Sequence, residues 1–120
     1  MSYVLVAEDD PYIQLMVRRK LEGASFAVRS TADGDQVMAM ISTEKPLIVL
    51  LDVMLPGRTG LDICQQIKRD LGTGAPPVII ISARGRESDV DAGMRAGADD
   101  YLIKPFSPKE LLDLIHQRLG

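Results

Sequence analysis

The sequence predicts an α/β protein, a doubly wound parallel sheet of five strands in a three-layer sandwich. Five short aliphatic runs alternate with five longer amphipathic segments, which is the pattern of βαβ units. Two of the runs, residues 47–51 and 78–81, are apolar without alternation, as strands are when helices cover both faces of a sheet. With 120 residues, 46% of them hydrophobic, the chain has the size and composition of one domain with a buried core.

The predicted elements follow one another without a linker or a repeat. The strands are rich in β-branched and aliphatic residues and lie at residues 3–7, 26–29, 47–51, 78–81 and 101–103. The helices are predicted between and after them, at residues 11–22, 34–43, 60–71, 87–96 and 108–119.

Helix-start signals support the first and last helices. Asp10 is a predicted N-cap followed by Pro11 at the first helical position. Ser107 and Pro108 give the last helix the same kind of start.

The third and fourth helices differ in their apolar content. The third carries an apolar face, predicted as Leu61, Cys64, Ile67 and Leu71. The fourth has only Val90 and Met94 as large apolar residues and contains Gly93. We therefore expect the fourth helix to be held weakly.

Charge and hydropathy exclude several classes of function. The net charge of −3 argues against direct binding of nucleic acid by this domain. The apolar runs are far shorter than the roughly 20 residues of a membrane span, and acidic residues interrupt the N-terminal run. Cys64 is the only cysteine, so no disulfide can form within the chain, which suits a reducing, cytoplasmic location.

Polar residues follow four of the predicted strands. Glu8 and Asp9 follow the first, Asp52 the third, Ser82 the fourth and Lys104 the fifth. In open α/β sheets, ligands bind outside the carboxyl ends of the strands, so these side chains are expected to converge.

This set of donors favours a hard cation and a phosphoryl group. Clustered carboxylates repel one another unless a cation joins them, and oxygen donors favour Mg²⁺. Lys104 can neutralise a phosphoryl oxygen, and Ser82 can donate a hydrogen bond to another. Taken singly, each residue could be an ordinary surface or turn residue, and only their convergence favours a site for phosphoryl chemistry.

At this point the chain resembles the receiver domain of two-component response regulators, and residues 1–120 are interpreted as one such domain. The resemblance extends over residues 3–119. It is carried by the motifs Val-Ala-Glu-Asp-Asp (6–10), Asp-Val-Met-Leu-Pro-Gly (52–57), Ile-Ser-Ala (81–83), Gly-Ala-Asp-Asp-Tyr (97–101) and Lys-Pro-Phe (104–106). The resemblance implies a flavodoxin-like (α/β)5 sandwich with the strand order 2-1-3-4-5.

The resemblance also implies the metal and phosphoryl chemistry. Asp52 would accept a phosphoryl group from a histidine kinase or a phosphotransfer protein. Mg²⁺ would be the cofactor, with ligands Asp9, Asp52, the backbone carbonyl of Met54, and Glu8 through water. The backbone of Met54 and of Ala83 would contact the phosphoryl group.

The remaining implied roles concern the switch. Lys104 would contact the phosphoryl group, Ser82 would move towards it, and Tyr101 would then turn inward. The Lys104–Pro105 peptide bond is expected to be cis. The surface of the fourth helix, fifth strand and fifth helix would change and control an output domain or effector protein.

The motifs are nearest to the subgroup linked to winged-helix DNA-binding domains and transcription regulation. A phosphorylation-dependent homodimer belongs to that resemblance. Two basic positions of the subgroup's dimer surface are occupied here by Ala92 and Leu114, so its usual ion pairs could not form.

Two alternatives stay open on the sequence alone. A Mg²⁺-dependent phosphohydrolase would also use an aspartyl nucleophile, but such enzymes carry a second aspartate two residues later, where this chain has Met54. A receiver-like module that never accepts phosphate is the other. The complete set of Glu8, Asp9, Asp52, Ser82 and Lys104 argues against it.

Overall fold

The computed structural model describes residues 2–119, so the two ends of the predicted domain, Met1 and Gly120, lie outside the described residues. The strands are β1 Val4–Ala7, β2 Val28–Thr31, β3 Ile48–Asp52, β4 Val78–Ser82 and β5 Asp100–Ile103. The helices are α1 Pro11–Gly23, α2 Gly34–Thr43, α3 Gly60–Leu71, α4 Glu87–Arg95 and α5 Pro108–Leu119. A 3-10 turn, Gly72–Gly74, follows α3.

The five strands form one sheet in the order β2-β1-β3-β4-β5, and every neighbouring pair is parallel. The predicted order and fold class are therefore confirmed. Because all strands run the same way, their carboxyl ends meet at a single edge. At this edge Asp52 pairs in register with Ile81, and Ser82 with Ile103.

Each face of the sheet is covered by its own hydrophobic core. One core joins alternate strand residues such as Leu51 and Ile80 to Val37 of α2 and Ile67 of α3. The other joins the intervening strand residues to helices α1 and α5 through Val17, Leu21, Leu111 and Ile115. This arrangement is the predicted three-layer sandwich, and it explains why the central strands are apolar on both faces.

Three predicted strands, the second, third and fourth, end later in the structure than the sequence predicts. Asp52 and Ser82 are the last residues of β3 and β4, whereas the sequence had placed them just after the strands. The second strand begins at Val28, two residues later than predicted. Phe26 instead closes the turn after α1, where its amide donates to the Leu21 carbonyl at 3.0 Å.

The predicted helix caps are confirmed. The Asp10 carboxylate accepts hydrogen bonds from the amides of Tyr12 and Ile13 at the start of α1. At the start of α5, the Ser107 hydroxyl accepts from the Glu110 amide, and the Glu110 carboxylate accepts from the Ser107 amide. These reciprocal bonds are a capping box, which satisfies amides that an isolated helix end leaves unpaired.

Helix α3 is buried along a slightly different face from the one predicted. Ile63, Cys64 and Ile67 are fully buried, while Leu71 is 37% exposed. Burial raises the pKa of the Cys64 thiol to about 11, as expected for a small core residue. No helix within residues 2–119 is long and apolar enough to cross a membrane.

Candidate functional site

Four of the predicted site residues lie at the carboxyl edge of the sheet. Glu8 directly follows β1, Asp52 and Ser82 end β3 and β4, and Lys104 directly follows β5. Three of them are almost completely withdrawn from solvent: Glu8 is 0%, Asp52 3% and Ser82 1% exposed. Such burial of polar groups is unfavourable unless partners compensate for it, which makes this edge the candidate site.

Three acidic side chains converge at this edge. Glu8, Asp9 and Asp52 each offer one carboxylate oxygen, and these atoms all lie within 4.8 Å of one another. Asp9 is exposed, so the cluster is open to solvent on its side. The structure thus brings together the three carboxylates that the sequence predicted as metal ligands.

Lys104 places its ammonium group between two of these acids. Its Nζ lies 2.9 Å from Glu8 Oε1 and 3.1 Å from Asp52 Oδ2. Burial alone would lower the pKa of Lys104, but Glu8 and Asp52 outweigh it and raise that pKa. The lysine therefore remains charged beside the buried carboxylates.

Glu8 is the acid most affected by this environment. The pKa of its carboxyl is raised to about 7, mainly by burial and further by the neighbouring Asp52. A hydrogen bond from the Asp10 amide acts in the opposite direction and lowers this pKa. That amide donates to Glu8 Oε2 at 3.0 Å. Near neutral pH the site can therefore hold or release one proton on Glu8.

One oxygen in the cluster lacks a hydrogen bond. Within the described part of the chain, Glu8 Oε1 is buried and its close contact is the ion pair with Lys104 Nζ at 2.9 Å, with no regular hydrogen bond. Buried polar atoms are nearly always satisfied by protein, water or an ion. This incompletely satisfied oxygen and the three hard oxygen donors fit a small divalent cation such as Mg²⁺.

The backbone around Asp52 is fixed by close packing. The Met54 amide donates to Asp52 Oδ1 at 3.1 Å, so a backbone N–H of the β3–α3 loop already faces the carboxylate. Gly60, the first residue of α3, approaches so closely that a Cβ there would lie 2.3 Å from the Asp52 carbonyl oxygen. The Met54 side chain is 57% exposed and lies at the rim of the site.

Ser82 and Tyr101 are connected through one residue of the β4–α4 loop. The Arg84 amide donates to Ser82 Oγ at 3.0 Å, and the Tyr101 hydroxyl donates to the Arg84 carbonyl oxygen at 2.7 Å. Tyr101 is half-buried, and Ala83 is exposed between Ser82 and Arg84. The two predicted switch residues, Ser82 and Tyr101, therefore both hydrogen-bond to the backbone of Arg84, one at its amide and the other at its carbonyl oxygen.

Sequence reasoning missed three residues that shape this site. Gln14 of α1 donates from Nε2 to the Glu8 carbonyl oxygen at 2.9 Å. Gly60 and Arg84 act through their backbones, as described above. A glycine at the first position of the predicted helix 60–71 was the one available signal. The roles of Gln14 and Arg84 depend on tertiary contacts that no local pattern encodes.

Comparison with known proteins identifies the family. The sequence model of the response regulator receiver domain matches residues 4–116. This chain belongs to that family. The resemblance stated from its motifs is therefore confirmed, and receiver domains are signalling domains coupled to histidine kinases and output domains.

Full-length relatives are DNA-binding regulators. The chain is 39% identical over 116 residues to the DNA-binding response regulator MtrA of Mycolicibacterium smegmatis. The match covers 97% of this chain and 50% of MtrA, so this receiver domain spans about half the length of the curated relatives it matches. This similarity agrees with the predicted likeness to the winged-helix subgroup.

Solved structures share the whole fold. A putative response regulator from Chloroflexus aurantiacus superimposes with a TM-score of 0.92 at 34% identity, covering 98% of this chain and 97% of that one. The BeF3-activated N-terminal receiver domain of Klebsiella pneumoniae RstA gives a TM-score of 0.90 at 28% identity and covers 98% of both chains.

Proposed function

We propose that this receiver domain is a phosphorylation-dependent switch whose phosphoacceptor is Asp52. The observation that carries the proposal is the position of Asp52, buried at the end of β3 between the Lys104 ammonium and the two neighbouring acids. A nucleophile placed among fixed charges of both signs suits phosphoryl transfer, in which catalysis is mainly positioning and charge neutralisation.

In the proposed reaction, a carboxylate oxygen of Asp52 attacks the phosphorus atom of a phosphohistidine on a kinase or a phosphotransfer protein. The P–N bond breaks, and the histidine nitrogen keeps its electron pair. Lys104 Nζ, 3.1 Å from Asp52 Oδ2, neutralises charge on the transferred group. The Met54 amide already faces Asp52 and would donate to a phosphoryl oxygen, as would the backbone of Ala83.

The proposed Mg²⁺ ligands are Asp9, Asp52, the backbone carbonyl of Met54, and Glu8 through water. When bound, the ion supplies positive charge to the phosphoryl oxygens. The chain's own contribution is to hold Glu8 and Asp52 in place, through the Asp10 amide and through Lys104. Glu8 Oε1 makes an ion pair with Lys104 but no hydrogen bond, which supports a role for that carboxylate towards a hydrated ion.

The proposed response passes from the phosphoryl group to the α4–β5–α5 surface. Ser82 would turn its hydroxyl towards the phosphoryl group and release the Arg84 amide, and this would favour the inward position of the Tyr101 ring, which packs against the core in this structure. The changed surface would control an output domain or effector protein. A homodimer formed through the α4–β5–α5 surface would lack two ion pairs of the winged-helix subgroup, because Ala92 and Leu114 occupy their basic positions. Asp100, an acidic residue of this surface, is paired with Arg118 of the same chain.

The rest of the proposal concerns the extent and setting of the domain. We take residues 1–120 as one receiver domain in the cytoplasm, where histidine kinases present their phosphohistidine. The domain would promote its own phosphorylation and dephosphorylation without being an enzyme that acts on separate substrates.

Incubation with Mg²⁺ and a small acyl phosphate, followed by intact mass measurement, tests the proposal. We expect one added phosphoryl group, absent when EDTA is present during labelling and absent in Asp52→Asn. The Asn variant keeps the shape of the side chain but removes the nucleophilic carboxylate, so it is the matched control.

Two other outcomes would replace this function. No adduct, and no binding of the phosphoryl mimic beryllofluoride, would indicate a module that never accepts phosphate. Catalytic turnover of phosphate monoesters would instead indicate a phosphohydrolase, despite the presence of Met54 where a second aspartate is expected.

A further inference from the structure

Gly93 stands out in the centre of α4. It is the one buried residue of this nine-residue helix, whose residues all lie within the described part of the chain. Glycine inside a helix is about 1 kcal/mol less favourable than alanine, so its presence there calls for a packing reason.

The packing reason is the ring of Tyr101. A Cβ added at Gly93 would lie 2.8 Å from Cδ2 and 3.0 Å from Cε2 of that ring. The next nearest atom, Ile80 Cδ1, would be at 3.4 Å, an ordinary van der Waals separation. The space left by the missing side chain is therefore filled specifically by Tyr101.

The same tyrosine is held at its other end by the β4–α4 loop. Its hydroxyl donates to the Arg84 carbonyl, and the Arg84 amide donates to Ser82 Oγ at the edge of the acidic site. A continuous chain of contacts thus runs from Ser82 through Arg84 and Tyr101 to Gly93. These contacts offer a route from Ser82 to α4 through the position of one aromatic ring.

We propose that Gly93 is a positioning residue of the switch. Its missing side chain creates the inward seat of the Tyr101 ring, and this seat links the occupancy of Asp52 to α4. The proposal rests on the proposed function, in which the phosphorylated state favours the inward ring. A side chain at position 93 would displace the ring and so oppose phosphoryl binding, because coupling between two sites is reciprocal.

Gly93→Ala tests the seat itself, with Gly23→Ala as the matched control. Gly23 also lies in a helix, and a Cβ there would meet no atom within 4 Å. The readout is the NMR chemical shifts of the Tyr101 ring in the unphosphorylated protein. We expect these signals to move in Gly93→Ala and not in Gly23→Ala. Unchanged ring signals in Gly93→Ala would overturn the proposal whether or not the domain accepts phosphate.

Beryllofluoride affinity in the presence of Mg²⁺ tests the link to the phosphoryl site. We expect Gly93→Ala to weaken it about fivefold or more, the lower end of typical allosteric coupling, and Gly23→Ala to leave it unchanged. Equal affinities for Gly93→Ala and the wild type would overturn the link. Failure of the wild-type protein itself to bind beryllofluoride would instead contradict the proposed function.

A double-mutant cycle separates the seat from a general effect on the helix. In a Tyr101→Ala background the space beside position 93 is open, so this variant also guards against misfolding of the single mutant. We expect Gly93→Ala to have no further effect on beryllofluoride affinity there. A loss that persists without the ring would show that Gly93 acts through α4 alone and would contradict the proposal.

Discussion

Helices α3 and α4 pack against the same face of the sheet but contribute very differently to its core. Helix α3 buries Ile63, Cys64 and Ile67 completely, whereas α4 buries only Gly93. Met94, one of the two large apolar residues of α4, is 44% exposed. The difference teaches that α3, which follows the strand of the proposed phosphoacceptor Asp52, is fixed by packing, while α4, beyond the proposed switch residue Ser82, buries little side-chain surface.

The strands beside these helices show the same contrast. All five residues of β3 are buried, so the backbone that carries Asp52 is held on both faces. Strand β5 has one buried residue of four and lies at an edge of the sheet. Elements that move in a switch belong to the less stable part of a structure, and α4 with β5 meets that requirement.

Truncation of one apolar side chain on each helix should produce the largest difference in the free energy of unfolding between α3 and α4. Ile67→Ala in α3 should lower the free energy of unfolding by about 2–5 kcal/mol, since it leaves a cavity in a closed core. Val90→Ala in α4 should lower it by about 1 kcal/mol, because Val90 is only half-buried. Urea unfolding of both variants measures the two costs. Equal costs would contradict the difference between the helices.

The pH dependence of the free energy of unfolding should show an effect of intermediate size. It probes Glu8, which is buried beside the well-packed strand β3. The pKa of Glu8 is raised from 4.5 to about 7 in the folded protein, mainly by burial. The folded state therefore binds this proton more tightly, and its contribution to stability is complete below pH 4.5 and lost as pH rises to about 7. Without Mg²⁺, we expect the free energy of unfolding to fall across this window by about 3 kcal/mol, since each pKa unit corresponds to about 1.4 kcal/mol.

Two controls accompany the pH series. Glu8→Gln removes the titrating proton and should flatten the profile over the same window. Mg²⁺ should oppose the loss at the upper end, because a cation favours the charged cluster. A wild-type profile that rises through this window would contradict the buried, proton-holding state of Glu8.

The smallest effect is expected where the two helices are tied together. Lys68 of α3 pairs with Asp99, which follows α4, at 2.7 Å, and the Val78 amide donates to the same carboxylate oxygen at 2.8 Å. Burial acts to raise the pKa of Asp99, but Lys68 and the Val78 amide lower it overall. Asp99→Asn keeps an acceptor for the amide and loses only the charge, so we expect a cost of about 1 kcal/mol or less. Urea unfolding measures this cost, and Lys68→Met, which removes the other charge of the ion pair, is measured alongside. A cost matching that of Ile67→Ala would show that this ion pair, rather than apolar packing, holds the region.

Much of this architecture could be predicted because its causes are local. Alternating apolar and amphipathic segments gave all ten main elements, and the caps Asp10 and Ser107 marked two helix starts. The convergence of Glu8, Asp52 and Lys104 followed from the geometry of parallel strands, since each lies at or just after the carboxyl end of its strand.

What could not be predicted depends on contacts between distant residues. The second strand was placed two residues early because Phe26 reads as a strand residue, whereas in the fold its amide closes the turn after α1. The buried Glu8 oxygen that makes no hydrogen bond and the fit of Tyr101 against Gly93 arise only when separate elements meet. The strand order itself came from the resemblance to a known family rather than from periodicity.

Hydrogen exchange of the backbone amides, with and without beryllofluoride and Mg²⁺, tests the central claim most directly. The account predicts strong protection of β3 and α3 in both states. It predicts weaker protection over residues 87–96, with a clear change there when the phosphoryl mimic binds and no such change in Asp52→Asn. Protection of 87–96 equal to that of the core strands, and unaltered by the mimic, would contradict a switch that runs from Asp52 to α4.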